Sequence, residues 1–281
     1  MMLHRNPLLW INIAAVVVMV LAWQGLALLF ANQDVGALRT PLIPGWEMIF
    51  RESLPAMENY RAGSRGLGLD EGSVMGGIAV LADHAVDTCL RLFTGLALGA
   101  LLGVGIALLV SMSRIARAVA ALPGHILRTL PVLAMVPLVQ VWFGVSFTGM
   151  VAFVAFGAGG LLFVGTLNAV ANVPQHYIDA ARSLGASRLR VYRTVILPAI
   201  FAELQSSIVL CLALSWSIVV GAEFLGAQSG LGFIQVQAKQ FALLDRMVVV
   251  ALVFLLFSTV IYLAFDRLSR FLLRWQPDTR D

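Results

Sequence analysis

The sequence has few charged residues and few of the residues that build metal sites or disulfides. Of its 281 residues, 12% are charged, two are cysteines and four are histidines. Cys89 and Cys211 both fall in apolar stretches, which favours buried thiols over a disulfide. The histidines are scattered, and no nucleophile–base pair stands out among Ser, His and Asp. We therefore expect no metal site and no enzymatic activity.

Apolar residues are abundant: 60% of the chain is hydrophobic and the mean hydropathy is +0.90. A helix needs about 20 apolar residues to cross a bilayer. Six segments meet this requirement, at residues 8–30, 88–111, 115–143, 149–171, 195–221 and 246–265. Because lipid cannot satisfy backbone polar groups, each should be a helix. The sequence thus predicts an all-α polytopic membrane protein, whose first span is too long for a signal peptide.

The distribution of basic residues predicts the orientation of these spans. Eleven lie in residues 1–7, 112–118, 172–194 and 266–281, whereas residues 31–84 contain four basic and seven acidic residues. Loops rich in Lys and Arg stay in the cytoplasm. Both termini and residues 172–194 should therefore be cytoplasmic. Since the arginines lie at helix ends rather than on one soluble face, we expect no nucleic-acid partner.

Residues 31–84 are the one long region without a predicted span. Apolar residues recur there at helical spacing, which predicts an amphipathic helix with Trp46, Ile49, Phe50, Leu54 and Met57 on its apolar side. Six glycines between residues 61 and 77 predict a flexible loop. The apolar residues 78–86 are compatible with an early start of the second span.

The third predicted span contains Pro123, Pro131 and Pro137, each of which bends or breaks a helix. Such breaks persist at membrane depth where they are buried in protein or line a cavity. Arg128 lies in the same stretch. A charge there should sit near the inner interface with a structural role or line a substrate path, and the sequence leaves both open.

The second predicted span carries Gly95, Gly99 and Gly103 on one helical face, a pattern that permits close helix packing. We expect this packing within the bundle, with a dimer seam as the alternative. Asp87 and Arg91, one turn apart at the start of the same span, are expected to form an interfacial pair.

Residues 172–194 form an arginine-rich polar island between two apolar segments. Pro174 suits the start of one helix, Gly185 suits its end, and Ser187 can cap a second helix. The island should therefore contain two short helices. Ala181 and Gly185 are four residues apart and would share a bare face that another protein could approach closely.

Asp179-Ala180-Ala181, followed by Gly185 and by Val195-x-Leu197-Pro198, resembles the E-A-A-x3-G-x9-I-x-L-P loop of bacterial ABC importer permeases, with Asp for Glu and Val for Ile. From about residue 80 to 275 the sequence is similar to the nitrate/sulfonate/taurine branch of that family. The motifs that carry this likeness are Trp142-Phe143-Gly144, Ser187-Arg188, Trp216-Ser217, Ala222-Glu223 and Gly230-Leu-Gly-Phe233.

The resemblance implies the type I ABC importer permease fold, with cytoplasmic coupling helices in a bacterial inner membrane. It divides the chain into an N-terminal helix (1–30), a periplasmic loop (31–84), a permease core (85–270, with a coupling loop at 172–194) and a cytoplasmic tail (271–281). The coupling residues it implies are Asp179, Ala180, Ala181, Arg182, Gly185, Leu197 and Pro198.

The resemblance also implies a non-catalytic subunit and its partners. These are ABC ATPase subunits that bind ATP and Mg, a periplasmic solute-binding protein and a second copy of the permease. No P-loop sequence occurs in this chain, so the energy would come from the ATPase. No cofactor is expected in the chain itself.

The resemblance implies a small solute, an anion like a sulfonate, nitrate or taurine, although the same branch also carries some aromatic and heterocyclic compounds. For such an anion, candidate path residues are Arg128, Gln140, Ser215 and Ser217. An autonomous secondary transporter is one alternative, although it would favour titratable groups at mid-membrane and an inverted repeat. A membrane scaffold subunit is another, although a scaffold gains little from a helix with three prolines.

Overall fold

The computed structural model describes residues 7–30, 33–35, 40–61 and 72–272. Its helices are α1 Pro7–Leu29, α2 Trp46–Met48, α3 Leu54–Ala56, α4 Val74–Ser111, α5 Arg114–Thr129, α6 Val136–Phe143, α7 Phe147–Asn172, α8 Gln175–Ser183, α9 Arg188–Val191, α10 Leu197–Phe224, α11 Leu231–Gln240 and α12 Leu244–Leu272. Shorter elements are the π-helical turns Ile49–Ser53 and Tyr192–Ile196 and the 3₁₀ turns Met57–Tyr60 and Val132–Met135. Strands β1 Asp34–Val35 and β2 Thr40–Pro41 pair antiparallel, with Asp34 opposite Pro41.

Within the described ranges, five helical segments are long and apolar enough to cross a membrane: Trp10–Leu29, Val74–Ser111, Phe147–Asn172, Glu203–Phe224 and Leu244–Phe271. The pair Arg114–Thr129 and Val132–Phe143 makes a sixth if it counts as one span, although its halves are bent by 85°. The prediction of about six helical spans is confirmed with this broken third member.

The break in the third span lies at Pro131. Leu130 is extended (φ −61°, ψ 131°), as expected for a residue that precedes proline. Pro123 lies inside α5. Pro137 occupies the first turn of α6, where backbone N–H groups have no partner within the helix, so the N–H that proline lacks costs no hydrogen bond. Of the three predicted disruptions, only the one at Pro131 separates two helices.

The chain divides into two compact units: unit 1 contains residues 1–85 and 228–255, and unit 2 contains residues 86–227 and 256–281. Residues 228–255 group with the N-terminal part, so the boundaries of these compact units differ from the sequence-based bounds 31–84 and 85–270. Local sequence could not show this, since the grouping depends on contacts between segments far apart in the chain.

Helix α4 begins ten residues before the predicted end of the outer loop. It starts at Val74, so the early start of the second span expected from residues 78–86 is observed, and it comes four residues earlier still. Val80, Leu81 and Ala85 are buried, which gives the helix an apolar face to pack before the apolar run begins. Gly77, predicted to be in a flexible loop, lies inside α4 where a Cβ would collide with the Leu54 carbonyl. Residues 62–71, the rest of that predicted loop, lie outside the described residues.

The predicted amphipathic helix is a run of helical turns from Trp46 to Tyr60, packed against α1. The Trp46 Nε1–H donates to the Val20 carbonyl at 3.0 Å, and the Trp46 backbone N–H donates to Gln24 Oε1 at 3.1 Å. Ile49 and Met57 are buried as predicted, but Phe50 is 58% exposed. The π-helical turn at Ile49–Ser53 changes the helical period, which the even spacing assumed in the prediction did not allow for.

His84 of α4 joins two other segments of unit 1. Its Nε2 donates to the Tyr60 carbonyl at 3.0 Å, and its Nδ1 accepts from the Gly230 N–H at 2.9 Å. The side chain is buried, and its ring lies 5.9 Å from that of Phe233. These bonds require the neutral ring with the proton on Nε2.

Replacing His84 by alanine should lower stability by about 2–4 kcal/mol, because it removes a hydrogen-bond partner from two buried backbone groups. Thermal unfolding in detergent measures the effect as a fall in Tm. His125→Ala is the matched control, since His125 is exposed. Equal Tm values for the two variants would contradict a bridging role for His84.

Candidate functional site

Unit 2 contains a groove of about 840 Å³, bordered by α4, α5, α7 and α10. Its walls are mostly apolar, with Leu102, Ile106, Leu127, Phe156 and Phe163 among the lining residues. The broken third span also borders it through Leu130, Pro131 and Val132. A helix break beside a cavity at membrane depth is the arrangement that the three prolines predicted.

Two of the four candidate path residues line this groove. Arg128 and Ser217 border it, whereas Gln140 and Ser215 do not. The Gln140 side chain donates to the Leu225 carbonyl at 2.9 Å and so ties the end of α6 to the end of α10. Ser215 is fully buried, 4.0 Å from the Cys211 sulfur. Polarity alone could not show which way each side chain faces, and all four remain predicted path residues.

A buried ion pair joins α4 to α10 in the same unit. Arg91 Nη1 lies 2.5 Å from Glu223 Oε1, and the two side chains are only 8% and 0% exposed. The Thr88 hydroxyl donates to the same carboxylate at 3.0 and 3.1 Å. The pairing of Arg91 with Asp87 expected from the sequence did not include Glu223, which was quoted only within the Ala222-Glu223 motif. An acidic residue at the end of a long apolar helix was the further signal available.

The polar island forms two short helices as predicted. Pro174 immediately precedes α8, and Gly185 follows its end with a φ of +79°. The Ser187 hydroxyl accepts from the Arg190 N–H at 3.4 Å and caps α9. The left-handed conformation of Gly185 lets the chain reverse between the two helices.

The two sides of α8 have different surroundings. Ile178 and Ala181 pack against a buried cluster that includes Val170, Ile196 and Ile200. The prediction that Ala181 and Gly185 share a bare face is therefore wrong. The helix ends before Gly185, so helical spacing does not relate the two residues.

Four exposed residues, Tyr177 and Ala180 of α8 and Leu184 and Gly185 just after it, are here called the outer face. Tyr177 is 55% exposed and Leu184 is 89% exposed. The Tyr177 ring is 4.1 Å from that of His176. Two large apolar residues exposed in a polar segment indicate a contact surface. Tyr177 and Leu184 are not among the predicted coupling residues, although their apolar character within the island was the available signal.

The other predicted coupling residues lie at the surface near the outer face. Asp179 Oδ1 accepts from the Gln175 side chain at 2.9 Å and lies 3.9 Å from Arg182 Nη1. Leu197 and Pro198 are exposed in the first turn of α10. The preceding π-helical turn offers a way to accommodate the proline ring without breaking the helix.

Comparison with known proteins identifies the family. Residues 95–274 match the family model described as "Binding-protein-dependent transport system inner membrane component". The chain belongs to this family. As a member, it is the permease subunit of an ABC importer in the inner membrane, and the resemblance seen in the coupling loop is confirmed.

Three relatives of this permease have informative names. The "Putative aliphatic sulfonates transport permease protein SsuC" of Escherichia coli (strain K12) is 30% identical over 54% of this chain and 58% of its own length. The taurine transport system permease protein TauC of the same strain is 29% identical over 72% of this chain and 74% of its own. The nitrate import permease protein NrtB of Leptolyngbya laminosa is 31% identical over 60% and 58%, respectively. These matches span from just under three fifths to about three quarters of the relatives.

Solved structures confirm the fold. The inward-facing MetNI methionine ABC transporter contains a chain that aligns with a TM-score of 0.60 and 22% identity, covering 69% of this permease and 96% of that chain. An amino acid ABC transporter chain aligns with a TM-score of 0.56 and 21% identity over 75% of this permease. The predicted type I importer permease fold is the one observed.

Proposed function

We propose that this permease forms part of the translocation path of an importer for small oxyanions such as sulfonates, taurine or nitrate. The observation that carries the proposal is the position of Arg128, a cation on the wall of a groove with no acidic residue among its described lining residues. Named relatives act on sulfonates, taurine and nitrate. An arginine fork matches the geometry of such oxyanions.

The apolar character of the groove strengthens this assignment. In a low-dielectric environment a single charge attracts an opposite charge more strongly than it does in water. One arginine also binds an anion less tightly than a full set of ligating groups would, so the anion can be released again and move along the path. Selectivity among oxyanions would then rest on a separate solute-binding protein that delivers the ligand.

Replacing Arg128 by glutamine should reduce anion uptake by about tenfold or more, because a hydrogen bond to a charged group is lost. The measurement is uptake of labelled taurine and of nitrate into proteoliposomes that contain the permease, its ATPase and its binding protein. Arg128→Lys keeps the charge and should retain part of the activity. Arg270→Gln, in the exposed ion pair with Asp266, is the charge-matched control. Unchanged uptake by Arg128→Gln would remove Arg128 from the path.

We further propose that the outer face binds an ABC ATPase subunit. We also propose that two permease copies assemble and that the side of the membrane on which α8 lies is cytoplasmic. The exposed apolar residues Tyr177 and Leu184 support the docking site, and the arginine distribution supports the orientation. ATP and Mg would be bound by the ATPase, whose closure would move α8 and α9 and the attached spans as rigid bodies. The permease itself would hydrolyse nothing.

Replacing Gly185 by aspartate should reduce the amount of co-purifying ATPase, because it adds a charge to the outer face. No atom lies within 4 Å of a Cβ placed at Gly185, so the spans should still fold despite the strain of its φ of +79°. Leu184→Asp should act in the same direction, and Leu184→Met is its matched control. The measurement is the ATPase-to-permease ratio after affinity purification in detergent.

Two results would count against this docking site. Full ATPase retention and normal uptake in Leu184→Asp would exclude the outer face. Absence of ATPase from every form, including the wild type, would favour a secondary transporter or a scaffold subunit.

A further inference from the structure

A second cavity of unit 2 lies between the α4–α5 turn and helices α8 and α9. Its volume is about 360 Å³, and the four arginines Arg114, Arg117, Arg182 and Arg188 line it. No aspartate or glutamate is among its described lining residues. The cavity therefore concentrates positive charge from three separate helices and has the character of an anion site.

Hydrogen bonds between distant parts of the chain connect the walls of this cavity, here called the basic pocket. Arg188 Nη1 donates to the Met112 carbonyl at 3.4 Å, and the Tyr192 hydroxyl is 3.2 Å from the Ser111 hydroxyl. Val170, Val173 and Ile196 form apolar parts of the wall. The arginines therefore surround a solvent-open cavity with apolar parts in its wall: Arg117 is half-buried, Arg114, Arg182 and Arg188 are exposed, and Arg182 also lies 3.9 Å from Asp179 Oδ1.

An exposed apolar stripe on α5 begins next to the pocket. It consists of Ile115, Val119, Leu122 and Ile126, of which Ile115 is 78% and Val119 is 69% exposed. At 1.5 Å per residue, the stripe runs for about 16 Å. This length matches half of a hydrocarbon core roughly 30 Å thick. An apolar stripe about as long as the depth of one leaflet therefore begins beside the cationic cavity.

We propose that the basic pocket binds the headgroup phosphate of an anionic phospholipid whose acyl chain lies along the α5 stripe. Clusters of arginine at a membrane surface attract anionic lipids. The stripe favours a lipid over free phosphate, which has no hydrocarbon to cover it. A bound headgroup would brace α8 and α9 against α5, because Arg182 and Arg188 belong to these two helices. The proposal needs only that the chain spans a membrane, and it holds for any solute.

The test compares two double variants with equal charge changes. Arg114→Gln/Arg117→Gln removes two pocket arginines, whereas Arg190→Gln/Arg193→Gln removes two exposed arginines that do not line the pocket. Native mass spectrometry of the purified permease, titrated with phosphatidylglycerol or phosphatidylcholine, gives the apparent Kd for each lipid. We expect the first variant to lose at least about tenfold in phosphatidylglycerol affinity and the second to match the wild type. Phosphatidylcholine should bind all three forms weakly and equally.

Three outcomes would overturn the proposal. Equal phosphatidylglycerol binding by the two double variants would show that the pocket is not involved. Displacement of phosphatidylglycerol by inorganic phosphate, with equal thermal stabilisation by phosphate alone, would assign the pocket to a free anion. Loss of co-purifying ATPase with unchanged lipid binding would assign the arginines to a protein partner. If the double variant does not fold, Arg114→Gln alone serves, since its side chain is exposed.

Discussion

Replacement of Glu223 by leucine should prevent stable accumulation of the permease, at a cost of about 3–5 kcal/mol. The change removes the carboxylate 2.5 Å from the Arg91 guanidinium and leaves that cation in a site where it is 8% exposed. It also removes the acceptor of the Thr88 hydroxyl. Both losses act on the junction between α4 and α10, so unfolding of this junction is the expected consequence.

The experiment measures Tm and monodispersity by fluorescence-detected size-exclusion chromatography in detergent. The double variant Arg91→Met/Glu223→Leu should recover most of the lost stability, because no buried charge remains. Arg51→Met is the matched control: it breaks the Glu47–Arg51 pair, whose side chains are 76% and 78% exposed. Its expected cost is below about 1 kcal/mol. A Glu223→Leu variant as stable as Arg51→Met would refute a structural role for the buried pair.

Replacement of Gly99 by leucine should separate α4 from α7 and cost about 3 kcal/mol or more. A Cβ at Gly99 would lie 2.7 Å from the Ala155 carbonyl oxygen and 2.9 Å from the Ala158 Cβ. A Cβ at Gly95 would collide with the Val154 side chain, and a Cβ at Gly103 would collide with the Gly159 backbone. Since a backbone carbonyl cannot rotate away as a side chain can, the two helices would have to move apart.

The control for this substitution lies in the same helix. At Gly105 no atom lies within 4 Å of the position that a Cβ would occupy, so Gly105→Leu should accumulate and unfold like the wild type. Expression level and Tm of the two variants, measured side by side, provide the comparison. Similar behaviour of Gly99→Leu and Gly105→Leu would mean that the glycine face does not pack within the chain. The observed contacts favour packing within the bundle over the alternative of a dimer seam.

Local signals in the sequence were sufficient for several parts of this structure. Long apolar runs predicted the spans, because a helix is the structure that satisfies an isolated backbone in lipid. Gly185 predicted the C-terminus of α8, and Ser187 predicted the N-terminus of α9. A residue in the left-handed conformation and a hydroxyl cap each act on backbone groups only a few residues away. Pro131 predicted a break for the same local reason.

Distant contacts decided other features, which local sequence could not fix. Helix α4 extends outward to Val74 because Val80 and Leu81 find a buried environment that their own segment does not show. Phe50 is exposed because a π-helical turn alters the period around it. Ser215 was proposed for the path, but the rotation of α10 buries it. The hydrophobic pattern could not have fixed that rotation, because α10 is apolar on nearly every side.

The sequence by itself determined that this protein is a helical membrane permease with an arginine-rich polar segment at residues 172–194. The length of an apolar run, a helix cap and the spacing of a motif are properties of neighbouring residues. They do not depend on how the helices are arranged. Only the tertiary structure decided that Arg91 meets Glu223, 132 residues away, and that Arg128 rather than Gln140 faces the groove. Such partners depend on how each helix is rotated and packed, and that choice is made by the free energy of the assembled bundle rather than by any one segment.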